Sequence, residues 1–215
     1  MCDVRAGYGS TPVLHGITAR IPRSRVSALV GHNGSGKSTL LGVLAGTHAP
    51  SGGTVERSFS QRPALVLQRT AVPGSLPMTV RNTVAMGRWA HRGWWKRLTT
   101  HDKAVITECM ERVGIADLAG AQLAELSGGQ YQRTLIAQGL AQRSELLLLD
   151  EPAAGLDRDA QDRILEIFDE LTRTGITVVH ATHDTDAAAR ADHCLLLKEG
   201  RLLAQGAPDA ALAPN

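Results

Sequence analysis

Gly31-His32-Asn33-Gly34-Ser35-Gly36-Lys37-Ser38-Thr39 is the strongest indication of the fold in this chain. It fits the pattern G-x-x-x-x-G-K-[S/T], in which glycines let backbone N–H groups close around a polyphosphate. In that pattern Lys37 reaches the outer phosphates and the Ser38 hydroxyl binds Mg²⁺. An apolar strand at 26–30 precedes the stretch and an apolar helix follows it, as the pattern requires. The stretch therefore predicts a nucleotide-phosphate site in an α/β domain.

The composition limits the class of protein. The formal net charge is +2 and aromatic residues make up 3% of the chain, so we expect no nucleic-acid partner. The cysteines, Cys2, Cys109 and Cys194, are far apart in the sequence, which predicts free thiols rather than disulfides or a zinc site. The sequence has neither a signal segment nor an apolar run of about 18 residues, so we expect a soluble protein that reaches a membrane only through a partner.

Short apolar runs alternate with longer helical patterns, which predicts a mainly parallel α/β sheet. Residues 1–30 have the pattern of short strands and turns, with turns at 7–10 and 21–24, and a further turn is predicted at 51–54. The region 80–143 is mostly helical. The predicted strands are 26–30, 64–68, 146–149, 176–179, 194–197 and 201–204, and the predicted helices include 102–113, 130–142 and 159–172.

A second candidate anion site lies at Leu126-Ser127-Gly128-Gly129-Gln130, immediately before a predicted helix. Ser127 is a plausible N-cap, and the two glycines allow close approach of a ligand to the backbone. The same residues would also suit an ordinary capped helix start, and they do not by themselves separate the two interpretations.

An acidic pair, Asp150 and Glu151, ends the four-leucine run 146–149. A carboxylate at the end of a buried strand suits the acid that holds Mg²⁺ in phosphate-loop enzymes, and the adjacent Glu151 could orient or deprotonate an attacking water. Two alternatives remain open: both carboxylates could belong to a solvated loop, or Glu151 could cap the following helix.

These motifs occur in the order seen in the ATP-binding domains of ABC transporters, together with Gln68, Ala154-Gly155-Leu156-Asp157 and Thr182-His183-Asp184. The resemblance extends over the whole chain, 1–215, as a single ABC ATPase domain. It implies a phosphate-loop NTPase core with a mainly parallel sheet, an N-terminal antiparallel β subdomain, and a helical subdomain at about 80–143.

The resemblance also implies a role for each matching residue, with ATP and Mg²⁺ as cofactors. Glu151, His183 and Gln68 would be catalytic, and Ser38, Gln68 and Asp150 would hold Mg²⁺. Tyr8 would stack on adenine and Asp157 would communicate across a dimer. The other implied nucleotide-binding residues are Gly31, Asn33, Gly34, Ser35, Gly36, Lys37, Ser38, Thr39, Ser127, Gly128, Gly129 and Gln130. The histidines interpreted as structural are His15, His48, His91, His101, His180 and His193.

The partners implied are a second copy of the chain, paired head to tail around ATP, and separate membrane permease subunits. An extracytoplasmic solute-binding protein is also expected, with this chain on the cytoplasmic face of the membrane. The segment after Gln68 would be the docking region. Its three tryptophans, between Trp89 and Trp95, would suit a contact surface or the core of the helical subdomain equally well.

Residues 75–88 look like the corresponding stretch in the ATPases of zinc and manganese importers, so we expect import of a transition-metal ion.

Three alternative functions are less well supported by the sequence. Iron-chelate importers belong to the same broad class. A soluble ABC ATPase that acts on nucleic acid or ribosomes would carry coiled coils or tandem domains, which this chain lacks. A non-hydrolytic switch would not need Glu151 and His183.

Overall fold

The computed structural model describes residues 1–59, 61–67, 78–89 and 95–213. The chain forms two compact units. The first comprises Met1–Gln68, Glu145–Pro152 and Phe168–Asn215, and the second comprises Arg69–Ser144 and Ala153–Ile167. Along the described residues, no helix is both long enough and apolar enough to cross a bilayer.

The first unit contains two sheets. An antiparallel sheet has the order β2-β1-β4, and a larger sheet has the order β5-β6-β7-β3-β8-β9, in which only the β8–β9 pairing is antiparallel. These elements confirm the expected α/β architecture with its antiparallel N-terminal sheet. The strands are β1 (Cys2–Tyr8), β2 (Thr11–Ile17), β3 (Val26–Val30), β4 (Gly52–Thr54), β5 (Ala64–Val66), β6 (Leu146–Asp150), β7 (Thr177–Thr182), β8 (His193–Lys198) and β9 (Arg201–Gly206).

Helix α1 (Lys37–Ala45) packs on this sheet and is buried along almost its whole length. Strands β3, β6 and β7 are buried at every position, as apolar runs in the centre of a parallel sheet should be. The hydrophobic core of the unit joins α1 and both sheets, and it includes Leu14, Leu40, Leu148 and Leu195. The phosphate loop is therefore anchored on both sides by rigid elements.

The second unit is helical. It contains α2 (Val80–Met86), α3 (Thr100–Arg112) and α4 (Gly128–Leu140), which pack against one another through side chains such as Val84, Ile106 and Ile136. Helix α5 (Arg158–Arg173) begins in this unit and ends in the first. The short helices α6 (Thr185–Ala189) and α7 (Pro208–Ala211) belong to the first unit.

Three sequence predictions need correction. Residues 52–54 form strand β4, not a turn: Gly53 has φ +77°, and a Cβ there would lie 2.2 Å from the Asp3 carbonyl oxygen. Gly53, which suggested a turn, is therefore needed because β1 passes close by. Tyr8 is the last residue of β1 rather than part of the turn, which begins at Gly9. The strand predicted at 64–68 ends at Val66, and Gln68 lies outside the described residues.

Candidate functional site

The phosphate loop connects β3 to α1 through backbone that needs glycine. Gly34 and Gly36 have φ +79° and +101°, which L side chains rarely adopt. Gly31 lies so close to β8 that a Cβ would stand 2.4 Å from the Leu197 carbonyl oxygen. Its N–H donates to the carbonyl of Thr182, at the end of β7. The loop is therefore tied to the carboxyl ends of two neighbouring strands.

Lys37, the first residue of α1, has a buried side chain that is 5% exposed. Its Nζ donates to the carbonyl oxygens of Gly31 at 2.7 Å and His32 at 3.2 Å. The helix has Gly36 as N-cap, without a side-chain cap, and its first turn has no acidic residue. Backbone N–H groups and the positive end of the helix dipole thus face the loop, which is the arrangement that binds anions.

Glu151 brings a carboxylate to the same lysine. Oε1 lies 3.4 Å from Nζ of Lys37, and Oε2 lies 3.3 Å from Nδ1 of His183. The Glu151 side chain is only 11% exposed, whereas that of His183 is 56% exposed. Tertiary folding therefore places the three expected catalytic and phosphate-binding residues Lys37, Glu151 and His183 in one cluster at the carboxyl edge of the sheet.

The two structural alternatives for the acidic pair are wrong. Asp150 is 7% exposed, so it does not belong to a solvated loop. Helix α5 is capped by Asp157, whose Oδ1 accepts from the backbone N–H of Ala160 at 2.9 Å, and not by Glu151. Glu151 itself is held by its backbone N–H, which donates to the Ala181 carbonyl at 3.2 Å.

The residues expected to hold Mg²⁺ supply the right kind of donor atoms. Asp150 offers a carboxylate at the end of β6, and the exposed Ser38 offers a hydroxyl in the first turn of α1. Among the described residues there is no group of three or more His, Cys, Asp or Glu that could hold a metal ion. Mg²⁺ is commonly held by one or two protein oxygens together with substrate phosphates and water, and Asp150 and Ser38 supply oxygens of this kind.

In the second unit, residues of the stretch 126–130 form a reciprocal capping box at the start of α4. The Ser127 Oγ accepts from the Gln130 N–H at 3.2 Å, and the Gln130 Oε1 accepts from the Ser127 N–H at 2.9 Å. A Cβ on Gly129 would lie 2.9 Å from Cβ of Ala160, so that glycine also allows close packing of α4 and α5. The capped helix start therefore exists, whether or not it also binds an anion.

Tyr8 ends β1 with a ring that is 60% exposed. Its inner neighbour is His48, with ring centroids 4.8 Å apart and planes tilted by 48°. His48 was interpreted as a structural residue from the sequence, and its contact with Tyr8 was not predicted, because the contact depends on how β1 pairs with β4. The pattern of residues along the chain contains no local signal for it.

His180 is confirmed as a structural residue within β7. It is 2% exposed and lies 5.4 Å from the Phe168 ring, centroid to centroid. Burial disfavours the charged form and lowers the pKa of His180 to about 4.

The fold and the site together define an ATP-binding protein of the phosphate-loop class. Residues 14–154 match the family model for ABC transporters, and the chain belongs to that family. It is therefore an ABC ATPase, as the motifs predicted.

Relatives agree with this assignment over nearly the whole chain. The chain is 38% identical to the ferric enterobactin transport ATP-binding protein FepC of Escherichia coli K12, covering 94% of this chain and 79% of FepC. It is 36% identical to the zinc transport system ATP-binding protein TroB of Treponema pallidum, covering 95% of this chain and 79% of TroB. Among solved structures, cbiO1 of Clostridium perfringens, part of the ABC transporter complex cbiONQ, superposes with a TM-score of 0.82 at 30% identity, covering 96% of this chain and 87% of cbiO1.

Proposed function

We propose that residues 1–215 act as one ABC ATPase domain that hydrolyses Mg-ATP to drive import of a transition-metal ion, zinc or manganese, through separate permease subunits. The observation that carries the ATPase part is the cluster of Lys37, Glu151 and His183 beside the free N-terminus of α1. The choice of metal ion is supported by the similarity to TroB and by the pattern of residues 75–88.

Each residue of the cluster has a distinct task in this proposal. Lys37 and the loop N–H groups bind the phosphates, and Asp150 and Ser38 hold Mg²⁺, with Gln68 as a further ligand. Glu151 takes a proton from the attacking water, because its carboxylate contacts both Lys37 and His183. His183 contacts the γ-phosphate, and its exposed ring can reach a ligand without rearrangement of β7.

The assembly we propose is a homodimer in which ATP lies between the phosphate loop of one copy and Ser127, Gly128 and Gly129 of the other. The first turn of α4 supports this, because its N-terminus presents a second set of backbone N–H groups for an anion. ATP would then be part of the interface, and hydrolysis would remove the contacts that favour closure. Asp157 would lie at the same interface.

The permease would dock on the second unit, which places the protein on the cytoplasmic face of a membrane. An extracytoplasmic solute-binding protein would deliver the metal to the permease, and no nucleic acid takes part. Trp89 and Trp95 are both exposed, which favours a contact surface over a purely structural role, while Trp94 lies outside the described residues.

A second candidate function is import of a ferric chelate. It is favoured by the 38% identity to FepC, which is no lower than the identity to TroB. Both functions need the same ATPase site, because substrate choice would rest with the permease and the solute-binding protein.

Uptake measurements separate the two candidates. In a strain that lacks the gene, we expect loss of ⁶⁵Zn or ⁵⁴Mn uptake but not of uptake of a ⁵⁵Fe-labelled catecholate chelate. Wild-type protein should restore uptake. Glu151→Gln should not, because loss of a general base slows hydrolysis by about 10²-fold or more. Glu166→Gln is a matched control on the exposed face of α5 and should restore uptake. Loss of chelate uptake alone would contradict the zinc or manganese assignment.

A further inference from the structure

Tyr8 and His48 form an aromatic pair at the end of a strand whose hairpin contacts the phosphate loop. Tyr8 ends β1, and the paired strand β2 borders the loop: a Cβ on Gly36 would lie 2.8 Å from Cδ2 of Leu14. The exposed ring of Tyr8 is therefore carried by a hairpin that contacts the site where phosphates would bind. An exposed aromatic ring in such a place suits a nucleotide base, because every base has a π-face for stacking.

His48 lies against this ring, and hydrogen bonds hold its backbone. Helix α1 ends at Ala45, its C-cap Gly46 has φ +75°, and the N–H groups of Thr47 and His48 both donate to the Gly42 carbonyl, at 3.0 and 3.1 Å. This hydrogen bonding fixes the backbone of His48 to the same helix that begins with Lys37. One helix thus positions both the phosphate-binding lysine and the support of the exposed aromatic ring.

Tyr8 is held independently by the antiparallel sheet. Strand β1 pairs with β4, with Arg5 opposite Gly52, and the Ser51 N–H donates to the Arg5 carbonyl at 2.8 Å. These bonds bring the end of β1 to the segment that follows α1. The two rings therefore meet because two separate backbone connections converge.

The ring nitrogen of His48 indicates that the position is not optimised for packing alone. Nε2 is buried and has no hydrogen-bond partner among the described residues. A buried unpaired polar atom is unfavourable, and an apolar side chain would fill the same space without that penalty. What histidine supplies and an aliphatic residue does not is a flat aromatic face, which prefers a tilted or offset contact with a second ring.

We propose that His48 is a positioning residue for the nucleotide base: it holds the Tyr8 ring from the inner side and leaves the outer face free for adenine. The inference rests on the proposed role of Tyr8 in the ATP site. It predicts that His48 contributes to binding of the base and not of the phosphates.

Two matched variants test this. His48→Leu and His48→Phe both remove the unpaired nitrogen, and only phenylalanine keeps an aromatic face. Calorimetric titration with ATP in EDTA, which prevents hydrolysis, measures binding of the whole nucleotide, and titration with tripolyphosphate measures binding at the phosphate loop alone. We expect His48→Leu to raise the Kd for ATP by about 2- to 10-fold, the range for an aromatic pair. It should leave the Kd for tripolyphosphate unchanged, and His48→Phe should restore ATP binding.

The variant Tyr8→Ala tests the role of Tyr8 in adenine stacking separately from the role of His48. If Tyr8→Ala weakens ATP but not tripolyphosphate, while His48→Leu binds both as the wild type does, the role of His48 is overturned and that of Tyr8 stands. If Tyr8→Ala leaves both affinities unchanged, adenine stacking by Tyr8 fails and the inference fails with it. A His48→Leu protein that loses affinity for both ligands equally would show a general structural defect and would also overturn the inference.

Discussion

Glu151 contacts both Lys37 and His183, and its backbone has an unusual conformation. Its φ of +46° lies in the left-handed region, which residues other than glycine seldom adopt. Such backbone conformations cost about 1–3 kcal/mol and persist only where the surroundings enforce them. Here the bond from its N–H to the Ala181 carbonyl and the contacts of its carboxylate with Lys37 and His183 do so. Strain of this kind clusters at functional sites, which supports the catalytic role proposed for Glu151.

His180 should make the stability of the protein depend on pH. Its folded-state pKa of about 4 lies below the usual histidine pKa of 6.5, so below pH 6.5 the unfolded chain binds a proton that the folded chain excludes. The free energy of unfolding should therefore fall as pH drops from 6.5 towards 4. This single group should account for a loss of about 2 kcal/mol at pH 5.

Urea unfolding of wild type and His180→Leu at pH 7 and pH 5 measures this loss. Leucine has no proton to gain, so the difference in stability between the variant and the wild type should grow in favour of the variant at pH 5. All other residues are the same in the two proteins, so their contributions cancel in the comparison. Equal losses of stability in the two proteins would show that His180 is not the group responsible.

At the scale of elements, the start of helix α4 depends on its capping box. The Gln130 side chain accepts from the Ser127 N–H, and the Ser127 hydroxyl accepts from the Gln130 N–H, so each residue fixes the other. Two donors that the helix itself leaves unpaired are thereby satisfied. The capping bonds at the helix start thus account for a glutamine at position 130, independently of any contact with nucleotide.

Replacing Gln130 separates these two roles. Gln130→Met keeps the length of the side chain and removes the acceptor, whereas Gln130→Glu keeps an acceptor for the same bond. A lost cap bond is worth about 1 kcal/mol, so the amides of 127–131 should exchange with deuterium about 5-fold faster in Gln130→Met. They should exchange at the wild-type rate in Gln130→Glu. Unchanged exchange in the methionine variant would mean that the capping box does not hold the helix start.

At the scale of the whole molecule, the proposed homodimer makes a prediction about size. Glu151→Gln should bind ATP without hydrolysing it, so both copies should stay closed around the nucleotide. Light scattering in Mg-ATP should then give about twice the 22.9 kDa of one chain. With ADP, which lacks the γ-phosphate, the same variant should have the mass of one chain. A mass of one chain in Mg-ATP at every protein concentration tested would contradict the dimer.

Elements with local signals could be predicted from the amino-acid pattern alone. Strand β3 and the phosphate loop were predicted residue by residue, because an apolar run followed by glycines and lysine leaves few alternatives. The four leucines of β6 and the hairpin of β8 and β9 were predicted for the same reason. Helix α4 starts two residues earlier than predicted, at Gly128, since its boundary is set by the capping bonds of Ser127.

Which distant segments meet is seen only in the folded chain. Strand β4 was predicted as a turn because Gly53, which allows the close approach of β1, is also typical of a local bend. The distances from Glu151 to Lys37 and His183, and the contact of Tyr8 with His48, join residues that are far apart in the chain. Periodicity and turn chemistry report on neighbours a few residues away, whereas strand order and ring contacts follow from how the whole core is buried.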